Sequence, residues 1–150
     1  MAQTLTRLLV HSIFSTKNRA NLIQPEIEPE LYAYIGGICR NAQSPLLSVG
    51  GTANHLHLLF SLSKTGSLAD LMLDVKKDSS KWIKTKAAYF ADFQWQEGYG
   101  GFSIGESQVD DLKGYIARQK EHHRTVTFEE EYLAFVKKYN APYDERYMWG

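Results

Sequence analysis

The sequence predicts an α+β domain of ferredoxin-like type: an antiparallel sheet built in the order β-α-β-β-α-β, helices on one face, and two further C-terminal helices. Three observations carry this. Strand-like runs occupy 4–14, 45–51, 55–62 and 93–104, a tight hairpin signal joins the middle pair, and amphipathic helical stretches follow the first and third strands.

Residues 4–14, TLTRLLVHSIF, are rich in β-compatible side chains and end at the polar turn STKNR. Pro25 or Pro29 suits the first turn of a helix in which Leu31, Ile35, Ile38 and Cys39 recur at helical spacing before Asn41. PLLSVGG at 45–51 and HLHLLFSL at 55–62 read as two strands turning around Gly50, Gly51 and Asn54. Ser67 and Asp70 form a capping pair for a long helix reaching Ala88, with Leu68, Leu71, Met72, Val75, Trp82 and Ile83 as its buried stripe. FQWQEGYGGFSI, 93–104, is an aromatic, glycine-broken fourth strand. Helices over Ser107–His123 and Thr127–Tyr139 follow, with the starts SQVD and TFEE.

A chain of 150 residues, 43% hydrophobic, suits one domain over 1–150 with its own core. Apolar runs such as Leu56 to Phe60 fall well short of the roughly 18 residues of a membrane span, and MAQTLTRLLVHSIF lacks a signal-peptide pattern. The expectation is a cytoplasmic protein with no membrane partner. Cys39 is the single cysteine, which excludes an internal disulfide and a thiolate metal cluster and suggests a buried helical thiol. Seventeen basic and seventeen acidic residues cancel, which excludes a broad positive field. Lys76, Lys77, Lys81, Lys84 and Lys86 nevertheless crowd one segment, as a solvated helix face or as a stripe following a phosphate backbone.

The stretch Asn54-His55-Leu56-His57-Leu58-Leu59-Phe60 carries the most chemistry. Alternation along a strand sends both histidines to one face and Leu56, Leu58 and Phe60 to the other, with the imidazoles about 6–7 Å apart at their bases. That spacing suits two ligands of one metal ion, and equally two polar histidines on an open sheet face; a metal needs a further ligand from elsewhere. On the helix YIARQKEHHR, Tyr115, Gln119 and His122 line one side beside the apolar stripe Val109, Leu112 and Ile116. A phenol, an amide and an imidazole can thus face the histidine pair.

HLH at 55–57, followed by YIARQKEHHR at 115–124, resembles the single-tyrosine HUH transposases of insertion sequences and their relatives associated with palindromic repeats. The likeness extends to VHSIFSTKNR, GYGGFSI, FEEEYLAF and the closing YDERYMWG. It implies that His55 and His57 are paired metal ligands, Gln119 the third, and Tyr115 the nucleophile. The implied activity cuts and rejoins single-stranded DNA through a 5′-phosphotyrosine and a free 3′ hydroxyl, with Mg²⁺ or Mn²⁺ as cofactor. The implied partners are single-stranded DNA, as hairpin ends of the protein's own element, and a second subunit whose tyrosine helix can complete the site. Lys17, Arg19, Lys77, Lys81 and Arg124 are the candidate DNA contacts. His122 and His123 are open alternatives to Gln119 as ligand, or phosphate contacts. The competing readings are an inactive, domesticated ferredoxin-like nucleic-acid-binding protein, and a metal-dependent phosphodiesterase that activates water.

Overall fold

The computed structural model describes residues 2–150. Strands β1 (Leu9–Ser15), β2 (Leu46–Thr52), β3 (His55–Ser61) and β4 (Gly100–Ile104) form one sheet in the order β2-β3-β1-β4, every pairing antiparallel. This is the predicted ferredoxin-like arrangement, with β3 and β1 at its centre. The register sets Ile13 opposite His57, and Ser15 opposite His55.

The two faces of the sheet differ. Phe14, Leu56, Leu58 and Phe60 pack under helices α1 (Glu28–Asn41) and α2 (Leu68–Ile83) in the largest apolar core, which also takes Leu31, Ile35, Cys39, Met72 and Val75. Each such side chain contributes about 1.5–3 kcal/mol by leaving water, so this face holds most of the fold together. The other face is covered by the C-terminal helices α3 (Val109–Ala117), α4 (Gln119–His122) and α5 (Phe128–Lys138). There the apolar contacts split in two. Leu9 and Leu59 meet Val109, Leu112 and Ile116, while Ile13 and Phe102 meet Phe128, Tyr132 and Val136. His11, His55 and His57 share this face and are fully buried.

Several boundaries differ from the sequence expectation. The first strand starts at Leu9, because residues 2–8 have no partner strand and lie exposed. Gly50 and Gly51 are not turn residues: they lie inside β2, and the turn falls at Ala53–Asn54. A Cβ on Gly50 would stand 2.7 Å from the Ile116 carbonyl oxygen, so glycine here lets α3 lie close against the sheet. Helix α2 begins as expected, with Ser67 Oγ accepting from the Asp70 amide at 3.0 Å, but it ends at Ile83. The fourth strand shortens to Gly100–Ile104, leaving Trp95 with a single bridge to Thr16.

The helix expected over Ser107–His123 breaks at Arg118, whose φ of −101° and ψ of 22° are not helical. The Arg118 guanidinium folds back over Gly114, where a Cβ would stand 3.0 Å from it. The capping pattern TFEE is realised at α5, where Thr127 Oγ1 accepts from the Glu130 amide at 3.1 Å and Glu130 reaches back to the Thr127 amide. Cys39 is a buried helical thiol, whose pKa burial pushes up to about 11. Among the described residues no helix is long and apolar enough to cross a membrane.

Candidate metal and tyrosine site

The alternation of β3 and the break at Arg118 leave Tyr115, Gln119, His122, His123 and Glu131 against the histidine face. Glu131 of α5 is at the centre. Its Oε1 lies 2.9 Å from His57 Nε2, 3.4 Å from His55 Nε2 and 3.1 Å from His123 Nε2. Its Oε2 accepts from the Tyr115 hydroxyl and, at 3.2 Å, from the Gln119 side-chain amide, and lies 3.5 Å from His122 Nε2. Tyr115 is half-buried, whereas His55, His57, Gln119 and Glu131 are buried. His55, His57, His123 and Glu131 each offer one donor atom within 4.8 Å of the others, so they form a group able to hold a metal ion.

The outer contacts show which nitrogen each ring offers. His55 Nδ1 sits 2.8 Å from Asn54 Oδ1, and the Asn54 amide is oriented by donating to the Arg19 carbonyl at 3.5 Å. His55 therefore donates from Nδ1 and leaves a lone pair on Nε2, which faces Gln119 Oε1 at 3.0 Å. His123 likewise donates from Nδ1 to the Val126 carbonyl at 2.6 Å, and its Nε2 is buried without a hydrogen-bond partner. Lone pairs of two imidazoles, an amide and a carboxylate thus converge. Such a cage favours positive charge at its centre, as a proton shared with Glu131 or as a metal ion, and imidazoles held at Nδ1 are the usual outer arrangement of metal-ligating histidines. The donor set fits a divalent cation of mixed nitrogen and oxygen preference.

The electrostatics agree. Burial alone would raise the Glu131 carboxyl, but a proton shared with the imidazoles of His123, His55 and His57, the positive charge such a cage favours, holds it well below the usual carboxylate range. Burial lowers His57 from its ordinary value despite Glu131, and burial with neighbouring His57 pushes His11 down to about 3. Tyr115 moves the other way: burial, and then its contact with the Glu131 charge, push the phenol above its ordinary value of 10.0. Beside an ionised Glu131 this tyrosine is held protonated.

The sequence-predicted residues His55, His57, Tyr115 and Gln119 are all brought together, in one chain. Of the open pair, His123 enters the cluster and His122 stands at its edge, its ring 5.2 Å from that of Tyr115. Glu131 was hidden in the acidic run Glu129 to Glu131, and His11 in an apolar strand. The useful signal was helical phase, since Glu131 shares a face with Phe128 and Phe135.

The candidate DNA contacts do not share a surface. Lys17 and Arg19 follow β1 at the end of the sheet that carries His55, and Arg19 donates to the Trp149 carbonyl at 2.6 Å. Arg124 is exposed just beyond α4 and pairs with Glu121 at 3.4 Å. Lys77 and Lys81 are exposed on α2, across the sheet from the histidines. A cleft of about 590 Å³, lined by Asn18, Arg19, Asn54, Lys120 and His123 among others, opens at the His55 end. Trp149 packs on Phe128 and Tyr132 of its own chain, whereas Tyr143 and Tyr147 are exposed.

The fold has clear counterparts among solved structures. One, from a protein of Deinococcus radiodurans assigned as a transposase, superposes with a TM-score of 0.62 at 18% identity, covering 79% of this chain and 95% of that one. A second is a REP-associated tyrosine transposase bound to a REP hairpin, with a TM-score of 0.61 at 14% identity, covering 84% of this chain and 76% of that one. At these identities the likeness concerns the fold. No curated protein matches the sequence. The family model described as "Transposase IS200 like" matches residues 4–119, from before β1 through Tyr115 to Gln119. The chain belongs to the IS200-like transposase family.

Proposed function

We propose that this protein cuts and rejoins single-stranded DNA with Tyr115 as nucleophile, at a divalent-ion site held by His55, His57, His123 and Glu131 with Gln119 beside it. The observation that carries this reading is that the Tyr115 hydroxyl and the Nε2 atoms of His55 and His57 all contact one carboxylate, Glu131. When bound, a divalent cation, Mg²⁺ or Mn²⁺, supplies Lewis-acid polarisation of the scissile phosphate and charge to offset the phenolate.

The chain's own residues supply the rest. Tyr115 attacks phosphorus; its oxygen forms the new bond to the 5′ phosphate as the bond to the 3′ oxygen breaks. The phenol proton passes by way of Glu131, its hydrogen-bond acceptor, to solvent, and the departing 3′ oxygen takes a proton from solvent to become a hydroxyl. Attack by a 3′ hydroxyl on the phosphotyrosine reverses these steps and rejoins DNA, and the covalent link conserves the bond energy. Gln119 positions Glu131 through its amide, and Asn54 orients His55.

Lys17, Arg19 and Arg124, near the His55 end, are the phosphate contacts of this reading. Hairpin ends of the protein's own element are the proposed substrate, in keeping with the hairpin-bound structure of similar fold. A homodimer belongs to the same reading, although Tyr115 already reaches the histidines of its own chain, its ring centroid 5.7 Å from that of His57.

The deciding experiment incubates the protein with a single-stranded oligonucleotide from the ends of its element and Mg²⁺ or Mn²⁺. A covalent protein–DNA adduct is expected, and its loss in Tyr115→Phe. Cleavage that persists in Tyr115→Phe would assign the reaction to water and overturn the nucleophile; binding without cleavage would favour the nucleic-acid-binding alternative.

A further inference from the structure

We infer that His11, on β1, is the positioning residue that holds His57 in its metal-ligating orientation; the inference rests on the divalent-ion site proposed above. Its Nε2 lies 2.8 Å from His57 Nδ1, and the two rings stack with centroids 5.1 Å apart and planes inclined by 21°. Both residues are fully buried. His11 reaches His57 diagonally across the β1–β3 pairing, where Ile13 is the directly opposed residue.

The three imidazoles that contact Glu131 Oε1 are each held from outside at Nδ1, by different groups. His55 is held there by Asn54, and His123 by the Val126 carbonyl, so each turns Nε2 inward. For His57 the group at Nδ1 is His11, and His57 Nε2 faces Glu131 Oε1 at 2.9 Å. A ring that binds an ion through Nε2 must carry its proton on Nδ1, so it needs an acceptor there. His11 Nε2 is the side-chain atom in place to accept it, and His11 then carries its own proton on Nδ1. That nitrogen has no hydrogen-bond partner, and the Phe135 ring stands nearly perpendicular to His11, centroids 5.1 Å apart. A buried histidine with one nitrogen unpartnered and the other committed to a second histidine carries a desolvation cost for the fold. Holding His57 gives that cost a function.

The test measures Mn²⁺ binding calorimetrically on the whole protein without DNA, for the wild type, His11→Phe, His11→Gln and His57→Ala. His11→Phe keeps a buried ring but removes the acceptor; His11→Gln restores a polar atom near the former Nε2. The expected result is Mn²⁺ affinity about 10- to 100-fold weaker in His11→Phe, with far-ultraviolet dichroism unchanged, and partial recovery in His11→Gln. Unchanged affinity in His11→Phe, or Gln no better than Phe, overturns the role of His11 while leaving the ion site standing. A wild type that binds no Mn²⁺, or a His57→Ala variant that binds it as tightly as wild type, overturns the site and the inference together.

A second measurement covers a variant that fails to fold. Long-range ¹H–¹⁵N spectra of the wild-type imidazoles with diamagnetic Zn²⁺ should show His57 ligated through Nε2, protonated on Nδ1, and coupled to a shift at His11 Nε2. Ligation through Nδ1, or His11 resonances that ignore the ion, overturns the inference.

Discussion

The Tyr115 hydroxyl donates to Glu131 Oε2, while the other oxygen of the same carboxylate contacts the imidazoles of His57, His123 and His55. One side chain from α5 therefore links the strand-borne histidines to the helix-borne phenol. Because Glu131 is ionised beside it, Tyr115 is pushed toward its protonated form. The Tyr115 phenol and the histidine cluster are thus coupled through a single charge.

Glu131→Gln keeps the shape and removes the charge. Mn²⁺ affinity should fall by about tenfold or more, as when a ligand or its outer support is removed. The Tyr115 phenol should titrate lower than in the wild type, because its partner no longer carries a charge. Calorimetry and ¹³Cζ tyrosine spectra measure the two effects, and an unaltered Tyr115 titration would contradict the coupling.

Gly50→Ala tests the seating of the tyrosine helix. The added methyl would lie 2.7 Å from the Ile116 carbonyl oxygen and 2.9 Å from its Cγ2, so α3 must shift away from β2. The expected cost is about 1–3 kcal/mol in urea unfolding, with slower adduct formation because Tyr115 neighbours Ile116. A variant of wild-type stability and rate would show that α3 tolerates displacement.

Acid should destabilise the protein in the absence of metal. His11 falls from an ordinary 6.5 to about 3 in the folded chain, and His57 is lowered too, so the unfolded chain binds protons that the folded one refuses. Their stabilisation is complete above pH 6.5 and is lost progressively as pH falls toward about 3. Each histidine adds a slope of up to about 1.4 kcal/mol per pH unit. Glu131 acts in the same direction below its ordinary 4.5. Urea midpoints between pH 8 and pH 4 with a chelator present measure the slope; a flat profile would mean that the histidines are not buried as neutral groups.

The basic residues should separate by location. Lys77→Gln with Lys81→Gln, on α2 across the sheet, should leave adduct formation on a short cleavage-site oligonucleotide unchanged. Lys17→Gln, at the His55 end, should weaken binding and lower the salt slope by about 0.7, the value for one phosphate no longer neutralised on a single strand. The reverse ranking, measured by anisotropy over a salt series, would place the strand on the α2 face.

Local periodicity was enough to establish the ferredoxin-like order and to put His55 with His57 on one face of a strand and Tyr115 with Gln119 on one side of a helix, whereas their assignment to one site came from the family resemblance. The caps of α2 at Ser67 and of α5 at Thr127 were legible for the same reason, since a cap joins residues three apart. Every contact across the sheet or between helices required the folded chain. Glu131 reached the centre because α5 crosses the sheet with its Phe128–Tyr132 face down, and His123 joined it because the helix breaks at Arg118. His11 met His57 only through the antiparallel pairing of β1 with β3. Gly50 and Gly51 read locally as a turn, and only the close approach of Ile116 to Gly50, and of the His55 carbonyl to Gly51, shows why glycine is needed inside a strand. Local spacing identifies which residues can carry chemistry; burial of two unlike sheet faces determines which of them meet.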